Sequence, residues 1–322
     1  MSALGRLRRR LLTPDVSETR VDVRGFHTSS TETTERLETV GRSFLAGYGA
    51  AAQAGRPRDA ETELERVPAE FRGFSYEGAA MALAVRDALP VGGRRHVEEF
   101  LRGRAANHVY MVYVGVGWAM ARVPRMRWSA LHAPDPLLRW LVLDGYGFHQ
   151  AYFRTRRYVH EQYRHRGFPW PVGDPAGYAP HVIDQGVGRA TWFVAGADPD
   201  LVDRLLQRFA EDRRADLFSG IGLAATYAGG ASRAGLERLW HVAGRYRPQL
   251  AQGAAFACAA RVRAALVMPH NELAAEVFCG MPAAAAAKVT DEALPGLRDG
   301  AEPAYAVWRR RISDAFRGHA DN

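Results

Sequence analysis

Five residues carry most of the chemical potential in this chain: Asp144, His149, Asp184, Arg189 and Asp216. Each lies on or beside a recurring small-residue element, and they are the candidate catalytic residues. Polar residues stand just before the first glycine in five of the six copies of that element: Glu77, Asp144, Asp184 with Gln185, Ser219 and Gln252. These positions read as the mouths of successive helices. There they would cap helix ends and also stand along one ridge. With His108, His149, Arg189, Arg213, Asp216 and Tyr227 added, the ridge would border an apolar groove lined by Tyr110, Trp118, Tyr146, Phe148 and Trp192. A few polar groups around an apolar groove is the usual composition of a small-molecule site.

Other constellations fall short of a known chemistry. His160-Glu-Gln-Tyr-Arg-His165 has the residue types of a zinc-peptidase helix but one step too many. Five steps put the two imidazoles about 140° apart on a helix, so they cannot chelate one ion as an i, i+4 pair does. His149 and His160 share a face but are separated by about 16 Å along the axis, too far for one metal. Gly73-Phe-Ser-Tyr-Glu fails the nucleophile-elbow pattern at its last position. Asp198, Asp200 and Asp203 could hold Mg²⁺ and a diphosphate, as in terpene cyclases. Asp198 before Pro199 reads better as an N-cap, with Asp200 as favourable charge in the first turn. No metal site and no nucleotide fingerprint emerge, and a cofactor is not indicated.

The element that must position these residues is a Gly-x-Gly or Gly-x-Ala pair entering an apolar helix. Its first glycines are Gly78, Gly115, Gly145, Gly186, Gly220 and Gly253, at a mean spacing of about 35 residues, within the range of two-helix repeats. Glycine there either lets helices approach closely or cradles phosphate. None of the copies has the third glycine or preceding strand of a phosphate loop, which favours packing. The segments between copies also have helical periodicity, as in Leu201, Leu205 and Phe209. Strand signals are nearly absent. The expected fold is all-α: a helical-repeat, α-solenoid-like array of antiparallel helix pairs over residues 31–317, with an arm over 1–30 and a tail over 318–322. A brief extended segment is expected around Arg20–Phe26, a helix from Asp144 to Arg166, and a rim or lid in the Pro-rich stretch Gly167–Gly177. Ala304–Phe316 reads as a capping helix with Tyr305, Trp308, Ile312 and Phe316 on one face.

Composition narrows the class. The chain has 322 residues, 47% of them hydrophobic, enough for a substantial core. Its net charge of +8 invites a nucleic-acid or membrane-surface reading. Lys288 is the only lysine, however, and so strong a skew to arginine points to a GC-rich coding bias. The arginines are scattered except at Arg6, Arg8, Arg9 and Arg10 and at Arg309, Arg310 and Arg311, unlike the clustered stripe of a nucleic-acid binder. The longest apolar run, Val109–Ala121, is shorter than the ~20 residues of a membrane span. Cys258 and Cys279 read as buried reduced thiols of a cytoplasmic protein, and the basic start lacks the apolar core of a signal peptide.

Several strings together carry a resemblance. His108-Val-Tyr-Met-Val-Tyr-Val-Gly-Val-Gly-Trp-Ala, Leu137-Leu-Arg-Trp-Leu-Val-Leu-Asp-Gly-Tyr-Gly-Phe-His, Asp184-Gln-Gly-Val-Gly-Arg and Arg213-Arg-Ala-Asp-Leu-Phe-Ser-Gly-Ile-Gly-Leu-Ala, with Arg24-Gly-Phe and Leu250-Ala-Gln-Gly-Ala-Ala-Phe, resemble the bacterial family called domain of unknown function 1702. The likeness covers roughly residues 20–317. It implies a place in enediyne biosynthesis, beside the iterative polyketide synthase that makes a long polyene; it implies no catalytic residue. Two functions follow as expectations. One is an enzyme acting on a polyketide-derived hydrophobic molecule. The other is a non-catalytic scaffold that binds the synthase or a partner maturation protein; a terpene-cyclase-like enzyme using Asp198, Asp200 and Asp203 stands beside these two, and a homo-oligomer is a further expectation.

Overall fold

A computed structural model of the chain describes residues 3–89, 95–174 and 176–320. The expected helix end at 90–93, Pro175 of the Pro-rich stretch, the first two residues of the arm and the last two of the tail lie outside the described residues. The structure is 74% helical and no strand occurs among the described residues, so the fold is all-α. Two compact units are present. One comprises Met1–Gly25 and Glu35–Tyr146, the other Phe26–Thr34 and Gly147–Asn322. The boundary falls inside a helix.

The first unit carries α1 (Ala3–Leu12), α2 (Val21–Arg24), most of α3 (Thr31–Gln53), α4 (Pro57–Glu65), α5 (Ala69–Ala88), α6 (His96–Leu101), α7 (Val109–Met120) and the start of α8 (Leu141–Phe153). The segment expected to be extended is instead the single turn α2. Gly25 at φ 66 ends it in the left-handed region, where its N–H reaches the carbonyls of Val21 and Asp22, a geometry that a residue without Cβ adopts at little cost. The arm is ordered as a helix. Arg8 Nε donates to Ala52 O at 3.1 Å and Nη2 to Ala54 O at 3.0 Å, satisfying carbonyls at the end of α3.

The second unit holds the end of α8, α9 (Ala179–Val194), α10 (Pro199–Leu206), α11 (Glu211–Ala228), α12 (Arg233–Ala243), α13 (Arg247–Arg263), α14 (Pro269–Cys279), α15 (Ala283–Glu292), α16 (Ala304–Ala315) and α17 (Arg317–Ala320). Helices α9, α11, α13 and α15 lie side by side in chain order, while α10, α12 and α14 form a second row. Local chemistry sets the ends. Asp198 Oδ1 caps α10 through the N–H groups of Asp200 and Leu201, with Pro199 opening the helix. Glu211 and Asp212 place negative charge in the first turn of α11, and Gly229 at φ 73 ends it. The helix expected from Asp144 to Arg166 starts earlier, at Leu141, and ends at Phe153; a π-helical turn over Arg156–His160 and an irregular stretch follow.

The glycine pairs sit inside helices, not at their entrances, and their spacing has a geometric reason. Two helical steps turn about 200°, so Gly-x-Gly opens opposite sides of one helix to two neighbours. A Cβ on Gly220 would lie 1.9 Å from Gln185 O of α9, and one on Gly222 would lie 2.0 Å from Leu250 O of α13. In the first unit Gly115 faces Glu77 O of α5 at 2.2 Å, and Gly117 faces Val142 O of α8 at 2.0 Å. Each helix is therefore clamped backbone-to-backbone between its neighbours. Close packing offsets the roughly 1 kcal/mol that a mid-helix glycine costs relative to alanine.

No single helix among the described residues is long and apolar enough to cross a membrane. The bent pair α14–α15, with 60° between its helices, passes that test by length and composition, but both helices pack on α13.

Candidate functional site

The residue preceding each first glycine points in a third direction, about 100° from the glycine. In the second unit this lines up Gln185 on α9, Ser219 on α11 and Gln252 on α13, all buried. The expected ridge thus exists there, made of helix-interior residues rather than N-caps. Ser219 Oγ donates to Gln252 Oε1 at 2.7 Å. Helix α16 lies over the row. Its Tyr305, Trp308, Ile312 and Phe316 are buried as the periodicity predicts. Its Arg309 Nε reaches Gln252 Oε1 at 3.3 Å, and Gln185 Nε2 approaches the Tyr305 hydroxyl at 3.5 Å. The ridge is covered.

At the edge of this cover lies the most chemically suggestive cluster. Asp216 on α11 is met by an arginine and a histidine from different elements. Arg309 Nη1 lies 2.8 Å from Oδ1, and Nδ1 of His181, in the first turn of α9, lies 2.7 Å from Oδ2. Arg309 Nη1 also donates to the Tyr178 hydroxyl at 2.8 Å, and the Tyr178 ring stacks on the His181 ring at 5.1 Å. The side chains of Asp216 and Arg309 are 10% and 7% exposed, whereas that of His181 is 37% exposed. The buried members are thus fixed while the imidazole meets the surface. The hydrogen bond to Asp216 raises the His181 pKa above its ordinary value of 6.5, against an opposing effect of burial. Burial pushes the Tyr178 phenol up to about 12. With Nδ1–H donated to the carboxylate, the tautomer is set and Nε2 becomes the atom able to exchange a proton with a ligand.

Asp184, one turn along α9, is engaged differently. Arg213 grips it with two bonds, Nη2 to Oδ1 at 2.6 Å and Nε to Oδ2 at 2.9 Å. The other donors of Arg213 go to the carbonyls of Gln162 at 2.5 Å and Tyr163 at 3.3 Å. Burial raises the Asp184 carboxyl above the usual carboxylate value, and Arg213 opposes that rise. A carboxylate buried to this degree and held on both oxygens is a lock between α9, α11 and the irregular stretch after α8.

The remaining candidates are dispersed. His149 is buried with its ring 4.7 Å from Phe153, and the Arg189 guanidinium lies 5.0 Å over the Phe148 ring. Asp144 is fully buried in the first unit. The aromatic residues expected to line a groove are mostly core. Trp192 is fully buried, its indole donating to Gly229 O at 2.9 Å, and Trp118 packs 4.4 Å from Phe44. Tyr146 and Phe148 are likewise buried; Tyr110 is half-buried. Large aromatics at helical spacing fill the helix interfaces, and the glycine clamps leave little room for a cleft between them. In the acidic cluster Asp198 is spent as a cap, Asp200 pairs with Arg238 at 2.7 Å, and Asp203 accepts from Gln207 at 2.8 Å. Among the described residues no group of three or more His, Cys, Asp or Glu is placed to hold a metal ion. His181 and Tyr178 escaped the sequence reading, because they follow the Pro-rich stretch and belong to no repeated motif.

A family model described as "Protein of unknown function (DUF1702)" matches residues 3–316. The chain belongs to this family. No curated protein and no solved structure matches the chain. In this DUF1702 member, the Gly-x-Gly strings that carried the resemblance are the helix clamps, and the cluster around Asp216 hangs from them: the α11 clamp lies one turn beyond Asp216.

Proposed function

We propose that the protein is an acid–base enzyme of enediyne biosynthesis that acts on a hydrophobic, polyene-derived intermediate, with His181 carrying the proton. The observation that carries the acid–base part is the 2.7 Å bond between His181 Nδ1 and Asp216, which orients a partly exposed imidazole from a buried carboxylate. Such an orienter fixes the tautomer and favours the imidazolium, so the ring can deliver a proton and take it back. The pathway part is supported by the resemblance of the six quoted strings and by membership of the DUF1702 family.

A second reading is a non-catalytic scaffold that binds the synthase or a maturation partner. It is favoured by Arg309, which already neutralises Asp216 and would make the cluster a structural ion-pair network. Two rows of helices also offer broad surfaces for binding. Co-expression with the polyene synthase separates the two. New metabolites that disappear for His181→Ala and Asp216→Asn, with the proteins still folded, support the enzyme. Unchanged metabolites together with a stable synthase complex in pulldown support the scaffold and overturn the proposal.

A further inference from the structure

The chain has two arginine clusters, and the structure disposes of them differently. Arg309 is buried in the Asp216 network, Arg310 pairs with Glu302 at 2.6 Å, and Arg311 donates to the carbonyls of Ala293 at 3.1 Å and Pro295 at 2.7 Å. That cluster is consumed within the fold. The other, in α1, is divided between two faces. Arg8 binds the carbonyls at the end of α3, and Arg9 Nη1 donates to Gln53 Oε1 at 3.1 Å. These two turn one side of α1 toward α3. At 100° per residue the opposite side presents Arg6, Arg10, Leu7 and Leu11 in one arc of about 140°. All four are exposed, Leu7 by 52% and Leu11 by 72%. The helix ALGRLRRRLL contains no acidic residue.

Two large leucines one turn apart at the surface, bordered along one side by two arginines and with no carboxylate in the helix, form a small amphipathic arc. That order suits a lipid surface. Leucines enter the boundary between headgroups and acyl chains, while long arginine side chains stay level with the phosphates. A neutral surface would leave the arginines without counter-charge, so the complementary partner is anionic.

We infer that the exposed face of α1 is an interfacial contact with an anionic lipid surface, which places the protein at a membrane without spanning it. Two leucines and two arginines make a weak, reversible contact that depends on both parts. The inference does not rest on the His181 centre, and its test is independent of activity.

Flotation of the full chain with vesicles tests it. One set is phosphatidylcholine alone; the other contains phosphatidylglycerol in about equal parts. The unaltered protein is expected to float with the anionic vesicles and stay behind with the neutral ones. About 0.5 M salt should remove the binding, because screening shortens the reach of the arginines. Leu7→Ser/Leu11→Ser and, separately, Arg6→Gln/Arg10→Gln are each expected to weaken partitioning about tenfold. All four side chains are exposed, so melting temperature should be unchanged; even a variant that misfolded would leave the lipid comparison on the unaltered chain standing. Equal binding to neutral vesicles, no binding to either, or variants that bind like the parent would overturn the inference. Capture of the unaltered protein by immobilised polyglutamate but not by anionic vesicles would also overturn it, in favour of an acidic protein partner.

Discussion

His181 Nδ1 stands 2.7 Å from Asp216 Oδ2, and the two residues come from adjacent helices 35 positions apart in the chain. The bond joins a surface imidazole to a carboxylate that Arg309 also holds. Its first consequence is electrostatic. The His181 pKa lies above 6.5, because Asp216 favours the imidazolium. Titration followed by NMR should find it there, and Asp216→Asn should bring it down, since burial then acts without the carboxylate.

The same shift has a stability counterpart. A histidine whose pKa is higher in the folded state binds its proton more tightly there, so its contribution is complete below the unfolded pKa and fades as pH rises through the folded one. The melting-temperature gap between the parent and His181→Gln should therefore be widest near about pH 5.5 and narrow by about pH 8.5. A gap that widens with pH would reverse the assignment.

Asp184 and Arg213 are expected to behave as a lock. Arg213→Met alone leaves a buried carboxylate without its partner and should cost about 3–5 kcal/mol in denaturant unfolding. Asp184→Leu with Arg213→Met should recover most of that loss, because the replacement removes both charges together. A double variant as unstable as the single one would mean that the pair is not what holds this region.

The glycine clamps make the sharpest contrast within the fold. Gly220→Ala puts a methyl 1.9 Å from Gln185 O and should destabilise by about 1–3 kcal/mol or more, with the loss read from urea midpoints. At Gly300 nothing lies within 4 Å of an added Cβ, and Gly300→Ala should be close to neutral. Equal effects at the two positions would contradict the clamp.

Much of this was legible in the chain and some was not. The all-α class could be read because Gly-x-Gly recurs in apolar helical contexts and strand periodicity is missing. The capping role of Asp198 could be read because Asp-Pro has one good local explanation. The interior position of Ser219 and Gln252 could not. Local sequence does not distinguish a glycine that ends a helix from one that touches a neighbour, and only the neighbour's carbonyl decides it. The expected groove gives way to core for the same reason: Trp192 and Trp118 look alike in sequence whether they line a cleft or fill a core. Asp216 was singled out, but its partners were not, because His181 and Arg309 reach it from distant parts of the chain.

The Asp198 group supplies a metal test. Asp198→Ala should cost about 1 kcal/mol as a lost helix cap. Added Mg²⁺ should leave the melting temperature of the parent unchanged, since Asp200 and Asp203 are already engaged by Arg238 and Gln207. A Mg²⁺-dependent rise that disappears in Asp198→Ala would restore a diphosphate-binding role.

The most direct measurement is the rate at which purified protein converts the polyene product of the co-expressed synthase, compared between the parent and His181→Ala at matched folded concentration. Loss of a positioned acid–base group should lower that rate by about a hundredfold or more, with Asp216→Asn showing a smaller loss in the same direction. A His181→Ala protein that converts the polyene at the parental rate would contradict the assignment of His181 as the proton carrier.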